Sequence, residues 1–138
     1  MRTFLQIFIT LVLLSSVSFA EQFKDIKKIS LKKDEQKKIL VKYGKYERLF
    51  KFRWTLYVNE GLVLLRSYDR VVAQNILYLN NTNQSFKQVF KTRGADLYEP
   101  PYMLVKFKEF DFEKDEAVFE LFLHDKKNQI EIKYLKNS

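Results

Sequence analysis

The chain has 138 residues, with 25 Lys and Arg against 17 Asp and Glu, one His and no Cys. That length is one domain's worth of chain, and a 46% hydrophobic, 16% aromatic composition supplies a core and excludes general disorder. The absence of Cys excludes disulfides, a thiol nucleophile and thiolate metal sites. A single His excludes multi-histidine metal centres.

Residues 1–20 read as a cleaved signal peptide. Arg2 is the only charge before Glu21, Phe4 to Val17 is mostly apolar, and Ser18-Phe19-Ala20 places small residues three and one positions before the cut. An uncleaved N-terminal anchor is the alternative. Residues 21–138 are then a single exported domain with no further apolar run long enough to span a membrane. Export without Cys leans towards a periplasmic or secreted bacterial protein. The sequons at Asn80 and Asn83 are read as an Asn-rich turn.

The charge is uneven. Residues 21–53 carry 12 basic and 5 acidic side chains, whereas residues 54–138 carry 12 of each. A positive field of this kind attracts anionic partners. The expected anionic-partner surface is Lys24, Lys27, Lys28, Lys32, Lys33, Lys37, Lys38 and Arg53. The competing reading is a solvated, lysine-rich edge that blocks sheet-to-sheet pairing.

Ser30 followed by Lys, Asp, Glu and Gln resembles a helix start, and an α+β fold with one helix near 31–43 is the alternative architecture. That helix would have no apolar face. Ile29 and Leu31, then Ile39, Val41 and Tyr43, fit two short strands around a charged turn. Phe50, Phe52, Trp54, Leu56 and Val58 alternate onto one face of the next strand. Asn59-Glu60-Gly61 makes a turn with glycine free to take positive φ, and Leu62 to Tyr68 returns. Val71 to Leu79 reads as a strand and Asn80 to Gln84 as a turn. Ser85 to Lys91 is a short strand or one helical turn, and Arg93 to Pro101 is a loop. From Tyr102 to Phe112 the apolar positions switch parity after Phe107, which predicts a β-bulge near Lys108–Glu109. Ala117 to His124 and Ile130 to Tyr134 are expected to complete a three-stranded meander. The sum is an all-β chain of about eight to nine short strands, an antiparallel β-sandwich or small barrel.

No catalytic constellation emerges, and the protein reads as a non-enzyme without metal or cofactor. His124 stands beside Asp125 without a nucleophile elbow. Asp111, Glu113, Asp115 and Glu116 lack the spacing of a calcium loop. Glu109 and Glu120 are a weak pair for a carboxylate-dependent hydrolase, the third alternative. Gly44, Gly61 and Gly94 are too far apart for a phosphate loop.

Thirteen Phe, eight Tyr and one Trp are the most unusual feature. They suit either an aromatic core under a basic sheet or an aromatic-lined cavity with cations at its mouth. Tyr98, Pro100, Pro101 and Tyr102 form the candidate recognition loop. The leading expectation is a binding module of the bacterial cell envelope, with an envelope protein or an anionic glycan or lipid surface as partner and no role for nucleic acid. A carrier of an anionic amphiphile or lipid is the alternative.

Overall fold

The structure, a computed structural model, describes residues 23–80, 82–91 and 99–138. The signal-peptide segment, Asn81, Tyr98 and most of the Arg93–Pro101 loop lie outside the described residues.

Among the described residues nine strands form: β1 (Asp25–Lys32), β2 (Lys37–Tyr43), β3 (Tyr46–Val58), β4 (Gly61–Tyr68), β5 (Val71–Tyr78), β6 (Ser85–Val89), β7 (Tyr102–Asp111), β8 (Glu116–His124) and β9 (Glu131–Tyr134). The segment 31–43 is strand–turn–strand, as its lack of an apolar helical face requires, and Ser85–Val89 is strand. All pairings are antiparallel. One sheet has the order β1-β8-β7-β6 and the other β5-β4-β3-β2-β9, packed as a sandwich. No helix among the described residues is long and apolar enough to cross a membrane.

Alternation sets the core. Ile39, Val41, Phe50, Phe52, Leu62 and Leu64 face inward from one sheet. Leu31, Met103, Val105, Phe107, Phe119 and Leu121 face them from the other. The rings interlock edge to face, with Phe52 5.8 Å from Phe119 and Phe50 5.7 Å from Phe90.

The hairpins β3–β4 and β4–β5 turn on two residues each, and these carry the positive φ: Asn59 and Glu60, then Asp69 and Arg70. Gly61 is therefore not the turn's left-handed residue. It opens β4, and a Cβ there would lie 2.9 Å from the Tyr78 ring. Glycine is used here for close approach rather than for conformational freedom.

The expected C-terminal meander does not form. β8 takes β1 as its second neighbour, with Leu31 opposite Ala117 and Ile29 opposite Phe119. β9 leaves for the other sheet and pairs with β2, Ile132 opposite Val41. Asp125 makes the crossing: its carboxylate accepts from the Gln129 N–H at 2.9 Å and the Ile130 N–H at 3.0 Å. The segment is thereby bent away from β8, and the Ile130 side chain is buried. β1 and β2 likewise belong to different sheets. Their connecting turn, with Asp34 at φ 62°, crosses the sandwich.

Both lateral openings are plugged by amphipathic side chains. At the β1/β9 side the Tyr134 hydroxyl donates to Asp25, and Lys27 lies 4.0 Å from the Tyr134 ring centroid. At the β5/β6 side Arg66 covers the Phe86 ring at 4.7 Å. It donates to Asn75 at 2.8 Å, to Gln88 at 2.8 Å and to the Lys87 carbonyl at 3.2 Å. Burial lowers the Arg66 pKa from its ordinary value.

Candidate functional site: an aromatic cleft between two bulges

The bulge predicted in β7 is present: the register slips between Phe107, opposite Phe119, and Glu109, opposite Val118. A second bulge lies in β3, between Trp54, opposite Leu64, and Leu56, opposite Val63. It overturns the expected single face from Phe50 to Val58. Phe50, Phe52 and Trp54 point inward. Beyond the extra residue Thr55 the parity reverses, so Tyr57 packs inward while Leu56 and Val58 are exposed.

The two bulges lie in opposite sheets and bring their aromatic residues together. Tyr57 stacks on Phe110 with centroids 4.3 Å apart and 17° between the rings. Trp54 meets Phe110 edge-on at 5.5 Å, and Phe107 meets Tyr57 at 5.8 Å. Phe112 continues the ladder, 5.0 Å from Phe110 and 6.0 Å from Tyr57, yet 76% of it is exposed. Burial and then the Glu60 charge raise the Tyr57 pKa, which keeps its phenol neutral in ordinary buffers.

Lys33, Trp54, Leu56, Tyr57, Phe110, Phe112 and Asp115 line a cleft of about 280 Å³ at this end. Lys33 and Asp115 put one cation and one carboxylate at its rim, and both are exposed. The floor is held rigidly. The Trp54 indole N–H donates to the Leu31 carbonyl at 2.7 Å, and the Asp34 N–H donates to the Trp54 carbonyl at 2.9 Å.

A larger groove of about 700 Å³ crosses the outer face of β3 and β4 and is lined by Arg48, Lys51, Asp69 and Arg70 among others. Its chemistry is self-satisfied at one key point, since Arg48 pairs with Asp69 at 3.0 Å. The aromatic cleft, by contrast, leaves apolar surface in water: Leu56 is 48% exposed beside Phe112. Burying such surface releases about 25 cal/mol per Å².

The eight expected cationic residues do not form one patch. Lys24, Lys27, Lys28, Lys32 and Lys33 follow β1 and its turn, while Lys38 and Arg53 project from the outer face of the other sheet. Lys37 is only 7% exposed and is not a surface cation. It shares inward parity with Ile39, and its ammonium escapes to donate to Asn137 at 3.2 Å. Burial first, then Lys27, lowers its pKa, against an opposing contribution from Glu35. Three of the others face acids. Lys24 lies 3.5 Å from Asp125, Lys28 4.0 Å from Glu109, and Lys32 stands opposite Glu116.

The expected recognition loop is only partly described. Pro101 is buried and its carbonyl accepts from the Phe90 N–H at 2.8 Å; Pro100 is half-buried. Tyr102 belongs to β7, where it stacks on His124 at 4.5 Å and under Lys87 at 4.1 Å. His124 thus sits in an aromatic stack, and Asp125 is engaged by backbone N–H groups. Glu109 and Glu120 are not opposite one another: Glu109 faces Val118, and Glu120 faces Lys106 and pairs with Lys108 at 3.0 Å. Asp111 folds the β7–β8 tip by accepting from the Glu113 and Lys114 N–H groups, each at 3.1 Å. No acidic or histidine cluster able to hold a metal occurs among the described residues.

No family model matches the chain, and no curated protein and no solved structure matches it.

Proposed function

We propose that the protein is a non-enzymatic binding module of the bacterial cell envelope. It engages an envelope protein by taking an apolar side chain of that partner into the aromatic cleft. The observation that carries this reading is Phe112: a ring 76% exposed at the end of a stacked ladder, on a floor fixed by two opposed bulges. Exposed rings on rigid supports lose little entropy on binding and are favoured as interface anchors. The lysines of β1 add a positive field on one side of the sandwich that favours an acidic partner face.

A photo-crosslinking phenylalanine analogue in place of Phe112, used in intact cells, tests this. A discrete protein adduct supports the reading. An adduct no larger than a lipid, or none at all, overturns it.

The second reading is a carrier of an anionic amphiphile. Lys33 beside the apolar walls of the cleft favours it, since that rim suits an anionic head above an apolar tail. Phe50 and Phe52 are fully buried in the interlocked core, so this reading too rests on the cleft. Native mass spectrometry showing a lipid-sized extra mass that is lost in Phe112→Ala would support it.

A further inference from the structure

Among the described residues the sandwich has four edge strands, and three of them carry devices that discourage pairing. β1 bears Lys27, Lys28 and Lys32; β6 has five residues and β9 only four. β5 has none of these. It is eight residues long, Val71-Val72-Ala73-Gln74-Asn75-Ile76-Leu77-Tyr78, with no charge and no proline. It is the last strand of its sheet, and among the described residues no strand pairs with its outer side. Val72 is 73% exposed and Ile76 44%.

The two-residue turn Asp69–Arg70 makes Tyr68 and Val71 a hydrogen-bonded pair, and the ladder alternates from there. Val71, Ala73, Asn75 and Leu77 then bond towards β4. Val72, Gln74, Ile76 and Tyr78 present their N–H and C=O groups outward. The Tyr78 N–H confirms the phase by donating at 3.0 Å to the Asn83 carbonyl, outside the sheet. Among the described residues Val72, Gln74 and Ile76 are left as an open row of donors and acceptors.

We infer that two copies of this chain pair antiparallel through β5, about a two-fold axis at Gln74, into one continuous sheet. The row is self-complementary in that register. Gln74 meets Gln74 of the other copy, and Val72 meets Ile76, each pair exchanging both backbone hydrogen bonds. On the inner face Val71 meets Leu77 and Ala73 meets Asn75. A shift of two residues either way would set Gln74 against Val72 or Ile76 and lose the match. One-residue shifts would place inward side chains opposite outward ones. Charge favours the same edge. β1 lies on the far side of the sandwich, next to β9, so pairing through β5 holds the two lysine-rich strands apart. The pairing strands alone cover less than the ~1,600 Å² of a standard interface, so assembly is expected in the micromolar range.

Sedimentation velocity of the purified protein from about 1 to 300 µM at low salt tests the inference, a range that brackets micromolar affinity. A monomer–dimer equilibrium is expected. Gln74→Lys and Gln74→Glu each set like charges directly opposite across the axis, and each is expected to weaken the dimer about tenfold or more. Gln74 is exposed in the single copy, so both variants keep its fold and thermal midpoint. Mixing the two variants restores the dimer by opposing unlike charges. A monomer at every concentration, a dimer indifferent to either substitution, or a mixture that stays monomeric overturns the inference.

Discussion

The indole N–H of Trp54 in one sheet donates at 2.7 Å to the carbonyl of Leu31 in the other. It is a buried polar tie between the two layers, set inside the lateral edges where Arg66 and Tyr134 make the other polar links, and it sits where the chain crosses from β1 to β2. Trp54→Phe keeps an aromatic ring but removes the donor and leaves a buried acceptor without it. The expected loss of stability is about 1–3 kcal/mol. Urea unfolding measures it, and an unchanged midpoint would show that water replaces the indole at no cost.

Asp125 carries the corresponding role at the β8–β9 crossing. Its buried carboxylate caps two N–H groups and faces Lys24. Asp125→Ala orphans both donors, and a loss of about 2–4 kcal/mol is expected. Lys24→Ala removes only a part-exposed partner, for which about 0.2–1 kcal/mol is expected. Hydrogen exchange should localise the damage: the β9 amides, 131–134, exchange faster in Asp125→Ala, while those of β3 do not. Uniform loss of protection would mean that the turn is not a separable unit.

These two ties explain which parts of the fold were legible in the sequence. Alternation identified nearly every strand, because side chains on a strand must divide between core and water. The β7 bulge was legible too, since Phe107 and Phe110 break parity with polar residues between them. The β3 bulge was not, because Leu56, Tyr57 and Val58 are all apolar or aromatic and either parity looks buried. The neighbours of β1 and β9 were equally hidden, since alternation says that a segment is a strand and not which strand it joins. The aromatic cleft needs the β3 bulge as well as the β7 one: without it Tyr57 would face outward, so alternation alone does not bring Tyr57 to Phe110. Lys37 departs from the expected surface for a related reason: its long stem lets a charged residue occupy an inward position and still reach polar company.

Tyr134 makes the stability pH-dependent at the alkaline end. Burial first, then the charge of Asp25 and the hydrogen bond to it, raise its pKa well above the ordinary 10.0. Between 10.0 and that raised value the folded state holds a proton that the unfolded state has lost, so stability falls as pH rises, by up to about 1.4 kcal/mol per pH unit. Lys37 acts with the opposite sign, because its lowered pKa means that the unfolded chain binds more protons below 10.5. That gain is complete once the pH exceeds 10.5, and the tyrosine contribution then dominates. Tyr134→Phe is expected to flatten the decline in urea midpoint between about pH 10 and 12. Equal slopes in the variant and the parent would assign the alkaline loss elsewhere, Tyr57 being the first candidate, since its pKa is also raised.

The cleft predicts a contrast between two neighbouring rings. Phe110 is half-buried between Trp54 and Tyr57, so Phe110→Ala removes stacking and part of the cleft wall, at an expected cost of about 1–3 kcal/mol. Phe112 touches Phe110 and Tyr57 but is mostly in water, so Phe112→Ala is expected to change stability by less than about 0.5 kcal/mol. Thermal unfolding separates the two. If the fold needed Phe112 as much as Phe110, its exposure would have a structural cause and the case for a binding anchor would fail. If Phe112→Ala folds like the parent and no longer binds the protein found in the crosslinked adduct proposed above, the ring's energetic role lies in binding. Phe112→Leu is then expected to recover part of that binding, because it restores apolar surface at the cleft but not a stacked ring.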